Sequence, residues 1–435
     1  MRLKITALIV PVLLLLSFTA LSAQDVGLIA ENSAGNFFGI GARAMGMGGA
    51  HIAAVMDGSA LIYNPAALAR IRRIEILGGI SHQKYDNSCL FFADVPITPG
   101  LSTRDQTNTR LNSIVLSVPY PTYRGSLVLA VGLNRIKSFD KTFKLGYTSG
   151  ESGGLSIEAV ELENGSLYAL SAGVGADISP RISIGGALNY YFGTDNYEWR
   201  YDYGDSDPMA NFYIHDNIED KYSAVSARIG LLLTPSRILK LGLSVESPIT
   251  YSIDENYTLR NSDATSEDPL IDKGKYSYDL SVPLSIGLGT AVNLNRLQLA
   301  ADITYNQWTQ MEYKDDVGLV IDNANIQRFY EDIMTVAVGA EYLIPRIGLK
   351  LRAGYLYDPI PLRNSAQPEG GLNENGYEVI DERDFITFGA GYLFDRIMTM
   401  DIAFVLGGFT QRELSTLIEE DVDLSRVYVT FGLRL

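Results

Sequence analysis

The sequence holds a single cysteine, Cys89, in 435 residues. No intrachain disulfide can form, so stability must come from hydrogen bonding and packing. It holds three histidines, His51, His82 and His215, with no pair at zinc-ligand spacing, and no serine sits in a recognisable nucleophile motif. Enzyme chemistry therefore has nothing to stand on, and no nucleotide, redox or metal cofactor is implied. Clustered positive charge is also missing. The formal net charge of −16 argues against a nucleic-acid partner, because phosphate binding needs grouped Lys and Arg. Outside the N-terminus, no run approaches the ~18–20 apolar residues that a spanning helix needs.

The one long apolar run is "MRLKITALIVPVLLLLSFTALSAQ". Its basic start (Arg2, Lys4), apolar core from Ile5 to Phe18 and small residues up to Ala23 read as a secretory signal peptide over residues 1–23. Gln24 stands where lipoprotein processing would need a cysteine, so the mature chain is expected to be exported without a lipid anchor.

From Arg73 onwards the chain reads as strands. In "SLYALSAGVGADISPRISIGGALNYYFG", Tyr168, Leu170, Ala172, Val174, Ala176 and Ile178 share one parity, and Ser171, Gly173, Gly175 and Asp177 share the other. Period two on each side of a turn gives a pair of strands long enough to cross a bilayer obliquely. Four further hairpins repeat the unit, and Arg181, Arg237, Arg296, Arg346 and Arg396 mark the five turns. A propeller blade would need four strands per unit, and each unit supplies two. Connections inside the hairpins are short ("SPR", "TPSR", "NLNR", "IPR", "FDR"), whereas those between them are long and acidic. That asymmetry is the mark of an outer-membrane barrel with tight periplasmic turns and long external loops. Tyr190, Tyr191, Tyr197, Trp199, Tyr251, Tyr305, Trp308, Tyr355 and Tyr357 fall where an outer aromatic girdle would lie. Asp202, Asp205 and Asp207 cluster in a predicted loop without EF-hand spacing, and read as solvated.

The predicted fold is thus all-β: a transmembrane antiparallel barrel of about fourteen strands over residues 73–435, or sixteen if "SCLFFADV" adds a strand. Closure follows because an open edge in hydrocarbon leaves backbone groups unsatisfied. The chain ends on a strand, "SRVYVTFGLRL", like the signal that outer-membrane proteins present to the barrel-assembly machinery. A lumen of this width cannot be filled by side chains alone. The candidate filling is residues 24–72, whose core reads "GIGARAMGMGGAHIAAVMDGSALIYNPAALARI". Its glycines do not fit GxGxxG, and no βαβ unit follows. Asn64 can cap a short helix with Pro65 at its first position, and the small residues before it allow backbone to pack on backbone.

These residues, with "IGGALNYYFGT", "LAADITYNQWTQMEY" and "LRAGYLYDPIPL", resemble the FadL-like outer-membrane transporters of long-chain fatty acids and other hydrophobic compounds. The resemblance implies a fourteen-stranded barrel with an N-terminal hatch in its lumen. A hydrophobic ligand is captured at the extracellular face, reaches a site inside the barrel, and leaves through a sideways opening beside the hatch. Carried onto this chain, the hatch and ligand path include Gly46, Gly48, Gly49, Asn64, Pro65 and Ala66, and the inward wall kink falls in "RGSLVLAVGLN", at Gly125 and Gly132. The expected partners are the hydrophobic ligand, outer-membrane lipid and lipopolysaccharide, and the assembly machinery. A related group, the PorV-like outer-membrane subunits of type IX secretion, shares the "ARAMGMGG…NPA" character and makes a secretion scaffold the alternative.

Overall fold

Alternation of apolar and polar residues lets a strand face lipid on one side and a polar interior on the other, provided the sheet closes. The computed structural model, described for residues 39–91, 102–148, 156–205, 211–263, 269–314, 320–364, 376–414 and 418–435, realises this as a closed antiparallel barrel of fourteen strands. The first strands are β1 (Glu75–Phe91), β2 (Ser102–Tyr120), β3 (Leu127–Ser138 continued by Lys141–Thr148), β4 (Ser156–Ser179) and β5 (Ile182–Gly204). Then come β6 (Phe212–Leu233), β7 (Leu239–Glu246 and Ile249–Asp263), β8 (Leu270–Val282 and Ser285–Leu294) and β9 (Leu297–Asn306 and Glu312–Lys314). The barrel finishes with β10 (Ile333–Ile344), β11 (Leu349–Tyr357), β12 (Tyr377–Phe394), β13 (Met398–Glu413) and β14 (Ile418–Arg434). Pairing of β14 with β1, from Glu75 opposite Arg434 to Phe91 opposite Ile418, closes the wall. Cys89 lies in β1, so its stretch adds no extra strand. The predicted signal peptide, residues 1–23, lies outside the described residues.

Parity holds as the sequence predicts. On β5, Ile182, Ile184, Leu188, Tyr190 and Phe192 are exposed on the outside, while Ser183, Ala187, Asn189 and Tyr191 are buried facing the lumen. The same alternation divides the predicted girdle. Tyr190 and Tyr355 face outward, but Tyr191, Tyr197 and Trp308 are buried inside. Neighbouring positions on a strand point to opposite faces, so an aromatic pair such as Tyr190 and Tyr191 cannot both reach lipid.

The long connections are also less loop-like than predicted. In "DENYTLRNSD", Asp254–Asp263 belongs to β7, which pairs with both β6 and β8 above the apolar band. Polar side chains outside the hydrocarbon cost nothing to hydrate, so the ladder simply continues into water. After β9 the chain forms helix α3 (Val320–Phe329), with Ile326 and Phe329 buried.

Candidate functional site: a lumen with a floor and a cavity

The small-residue segment lies inside the barrel. It contains helix α1 (Ala42–Met45), helix α2 (Ala60–Tyr63) and a 3-10 turn (Pro65–Arg70), and almost every residue from Ile40 to Ala69 is buried. Helix α1 and the 3-10 turn bury alanines, so their backbones come close to the wall. The wall answers with glycine. A Cβ on Gly230 of β6 would lie 2.1 Å from Asn64 Oδ1, and one on Gly185 of β5 would lie 2.3 Å from the Pro65 carbonyl carbon. Asn64 has an extended backbone (φ −162°) and caps the turn: its Oδ1 accepts from Ala66 N at 3.1 Å. Its Nδ2 donates to Ile52 O at 3.0 Å within the segment and to Leu231 O of β6 at 3.2 Å. Asn64-Pro65-Ala66 is therefore a clasp between the segment and β4–β6, and an Asn is needed because one side chain must accept and donate at once.

Gly48 has φ +66° and presses on β11, where an added Cβ would meet Tyr355 O at 2.6 Å. Gly46 lies against Gly389 of β12, and Gly49, at φ +82°, faces the cavity above. The remaining stitches are side chains of the wall that accept backbone N–H groups of the segment. Asn112 Oδ1 takes Gly41 N, Thr430 Oγ1 takes Ala42 N, Thr387 Oγ1 takes Gly48 N and Glu75 Oε1 takes Gly58 N, each at 2.9 Å. Asp302 Oδ2 takes the N–H groups of both His51 and Ile52, at 2.5 and 2.6 Å. Buried backbone donors are satisfied in this way without secondary structure. An ionic cluster fixes the far side. Arg43 Nε meets Glu341 Oε2 at 3.1 Å, Glu341 also holds Arg352 and Lys350 at 2.8 Å, and Arg352 reaches Asp401 at 2.7 Å.

Above this floor lies a cavity of about 260 Å³. Its apolar lining comes from Ile40, Ile62, Ile136, Leu167, Ile249 and Leu356, and its polar lining from Arg228, Glu246, Asp302, Thr304, Thr335 and Asp358. Trp308 Nε1 and Asp302 Oδ1 are buried here without a hydrogen-bond partner among the described residues. An aromatic and aliphatic layer roofs the cavity: Ile326 and Phe329 of α3 pack with Tyr330, Ile360, Leu362 and Tyr377.

The wall beside the cavity is not continuous. β2 pairs with β3 only from Ser113–Asn134 to Tyr120–Leu127. β3 then breaks at Phe139-Asp140, after a register shift between Arg135 and Lys137, and its second half pairs with β4 alone. The break is held by a buried cluster in which Arg135 reaches Asp140 at 2.8 Å and Ser166 at 2.8 Å, while Arg110 holds the other Asp140 oxygen at 2.9 Å. The family resemblance places this kink at Gly125 and Gly132. Gly125 instead lies in the connection between β2 and β3, at φ +78°, and Gly132 lies in a regular part of β3 opposite Val115. At the break itself stands the buried Arg135–Asp140 pair. Ile136 of β3 packs on Ile62 and Tyr63, which adjoin Asn64, so the broken strand does meet the segment next to its clasp.

Fourteen strands, an internal N-terminal floor and an amphipathic cavity beside a broken third strand now allow comparison with known proteins. The family described as outer membrane protein transport protein (OMPP1/FadL/TodX) matches residues 18–426. The chain belongs to this family. It resides in the outer membrane. Among solved structures, a Pseudomonas aeruginosa FadL homologue is similar at 15% identity and a TM-score of 0.62, covering 91% of this chain and 98% of that one. The toluene transporter TodX of P. putida is similar at 15% identity and a TM-score of 0.62, covering 91% and 99%. The Ralstonia pickettii toluene transporter TbuX gives 12% identity and a TM-score of 0.57, covering 92% and 99%. No curated protein matches.

Proposed function

We propose that this FadL/TodX-family channel passes small molecules with an apolar body and one polar group, and that they leave the cavity sideways at the break in β3. The observation that carries the reading is the mixed lining of the cavity: aliphatic side chains together with Trp308 Nε1 and Asp302 Oδ1, two buried polar atoms without a partner among the described residues. Unpaired buried donors and acceptors are costly; a ligand hydroxyl or protonated carboxyl, which donates and accepts, would satisfy both, whereas a carbonyl would satisfy Trp308 Nε1 alone. The toluene transporters among the similar structures support an apolar cargo. Transfer needs no cofactor, since an apolar compound leaves water spontaneously for the site and then for lipid. Asn64-Pro65-Ala66, Gly46, Gly48 and Gly49 would form the hatch that separates cavity from periplasm. A secretion scaffold would need a recruiting surface, and no observed feature favours one.

The test is to fill the cavity. Ala337 lines it and is buried. Ala337→Trp should abolish saturable binding of radiolabelled oleate to the purified protein and lower uptake by expressing cells at least tenfold. Heat-modifiable gel migration would establish that the variant is folded. Full binding and uptake by a folded variant would overturn the reading.

A further inference from the structure

Strands β7 and β8 are interrupted at the same level, and each interruption contains a proline. Glu246 pairs with Ser285, and Ile249 pairs with Val282. The register is the same on both sides, so Ser247-Pro248 stands against Pro283-Leu284 and the two prolines face each other. Neither has an N–H to donate. A proline inside a sheet is ordinarily confined to an edge, yet both lie in the middle of a closed wall.

β9 gives way at the same height. Asn306 pairs with Ser285 and Glu312 pairs with Ser281, so residues 307–311 stand against 282–284 and coil into a 3-10 turn at Trp308–Gln310. The pleat also changes phase: Glu246 and Ile249 are three positions apart and both are buried. The β6 side is interrupted as well: its ladder with β7 stops at Ser223–Ser252 and resumes at Arg228–Glu246 one residue out of register, bridged by Ser247 N donating to Ala227 O at 2.8 Å and Ala227 N donating to Ser247 Oγ at 3.1 Å. The ladder is thus interrupted from β6 to β9, with the opposed prolines of β7 and β8 at its centre.

Three observations give it a direction. On the inside, Ser247, Ile249, Pro283, Ser285, Asn306 and Trp308 all line the cavity. On the outside, exposed Leu241, Ile286, Leu288 and Ile303 lie on one side of the break, while exposed Thr250 and half-buried Ser281 lie on the other, joined hydroxyl to hydroxyl at 3.0 Å. The break thus sits at the outer margin of the apolar band. Overhead, α3 and the segment around Leu362 roof the cavity with buried apolar side chains.

We propose that this break is a second lateral portal, through which apolar compounds dissolved in the outer leaflet pass between the β7–β9 wall into the cavity. The proposal rests on the uptake reading above and adds a way in from the membrane to its way out at β3. A roofed cavity beside a wall with missing hydrogen bonds is reached more easily from the side than from the water above. In hydrocarbon, parting two strands costs unsatisfied backbone groups; opposed prolines have already removed those donors.

Two variants test it in expressing cells, with radiolabelled oleate and toluene as probes. Thr250→Cys/Ser281→Cys staples the strands across the break when oxidised. Pro248→Val/Pro283→Val restores both donors. The oxidised staple should lower uptake of both probes at least threefold and release it on reduction; the valine pair should lower it as much, with no response to reductant. A staple in the regular stretch of another seam, Phe388→Cys/Phe404→Cys, opposed on β12 and β13, should leave uptake unchanged. Wild-type uptake that persists in both test variants overturns the portal. A wild-type protein that takes up neither probe overturns the uptake reading itself, and the portal with it.

Discussion

Towards the periplasmic turns, the lumen is packed backbone against backbone, with Gly175, Gly185, Gly230 and Gly354 of the wall touching Pro65, Ala66, Asn64 and Gly48 of the floor. Towards the outer surface it is roomy, lined by large side chains such as Tyr191, Trp308 and Phe329. The wall follows the same division. Around the floor the ladders run on with a single-residue bulge at Asn112 of β2, while β3, β7, β8 and β9 break beside the cavity. A packed interior transmits strain and has few alternative states, whereas interrupted ladders open at lower cost. One half of the barrel is thus suited to hold a seal and the other to let molecules pass.

Removing the floor attacks this contrast most directly. Deleting residues 39–69 should leave a barrel that still shows heat-modifiable migration, because the closing pairs of β1 and β14 involve none of those residues. Its lumen would be water-filled from end to end. Single-channel conductance should rise more than tenfold, and ligand selectivity should vanish. Unchanged conductance would mean that the segment is not the seal.

A smaller effect is expected from loosening one anchor. Glu341 is buried and serves Arg43, Arg352 and Lys350 together. Glu341→Gln leaves buried cations without their shared partner, and breaking buried pairs this way costs roughly 3–5 kcal/mol. The wall itself stays hydrogen-bonded, so the loss should fall on the floor. Proteolysis in urea should cut the 39–73 segment at lower denaturant in the variant, with the barrel resistant at the same concentration. Simultaneous loss of both would show that floor and wall unfold as one unit.

The two halves were unequally legible in the sequence. Parity gave the strands, the alternation of short and long connections gave a membrane barrel, and its width demanded a filling that the Gly-Ala run could supply. Asn64 and Pro65 could be read as a local cap because capping depends on neighbours in sequence. The cavity was harder. Its polar residues come from β6, β7, β9, β10 and the chain after β11, and only the closed register brings Arg228, Asp302 and Asp358 together. Glycine permits distortion and so points to Gly125 and Gly132, but the break falls where Arg135 and Asp140, five residues apart, meet inside the wall. Pro248 and Pro283 stood in plain sight as strand breakers. That they face each other is a property of register, which a sequence without its pairing does not reveal.

The smallest expected effect tests how dry the floor is. His51 is fully buried, stacks edge-on against Tyr63 with ring centroids 5.1 Å apart, and neither ring nitrogen has a hydrogen-bond partner among the described residues. Burial pulls its pKa down to about 3, with Asp57 and Glu341 favouring the charged form and Arg43 and Arg352 opposing it. With the floor displaced into water the imidazole would titrate near its ordinary 6.5. Between those two values the displaced state binds the extra proton, so seating of the floor is strongest above about pH 6.5 and weakens as pH falls towards 3. At pH 5 the loss is about 2 kcal/mol. The fraction of time the channel leaks a small dye should therefore rise from pH 7 to pH 5 in the wild type. His51→Phe keeps a ring against Tyr63 and has nothing to protonate, so its leak should be nearly flat over that interval. An equal rise in the variant would place the pH sensitivity elsewhere, and would mean that water reaches His51 even when the floor is seated.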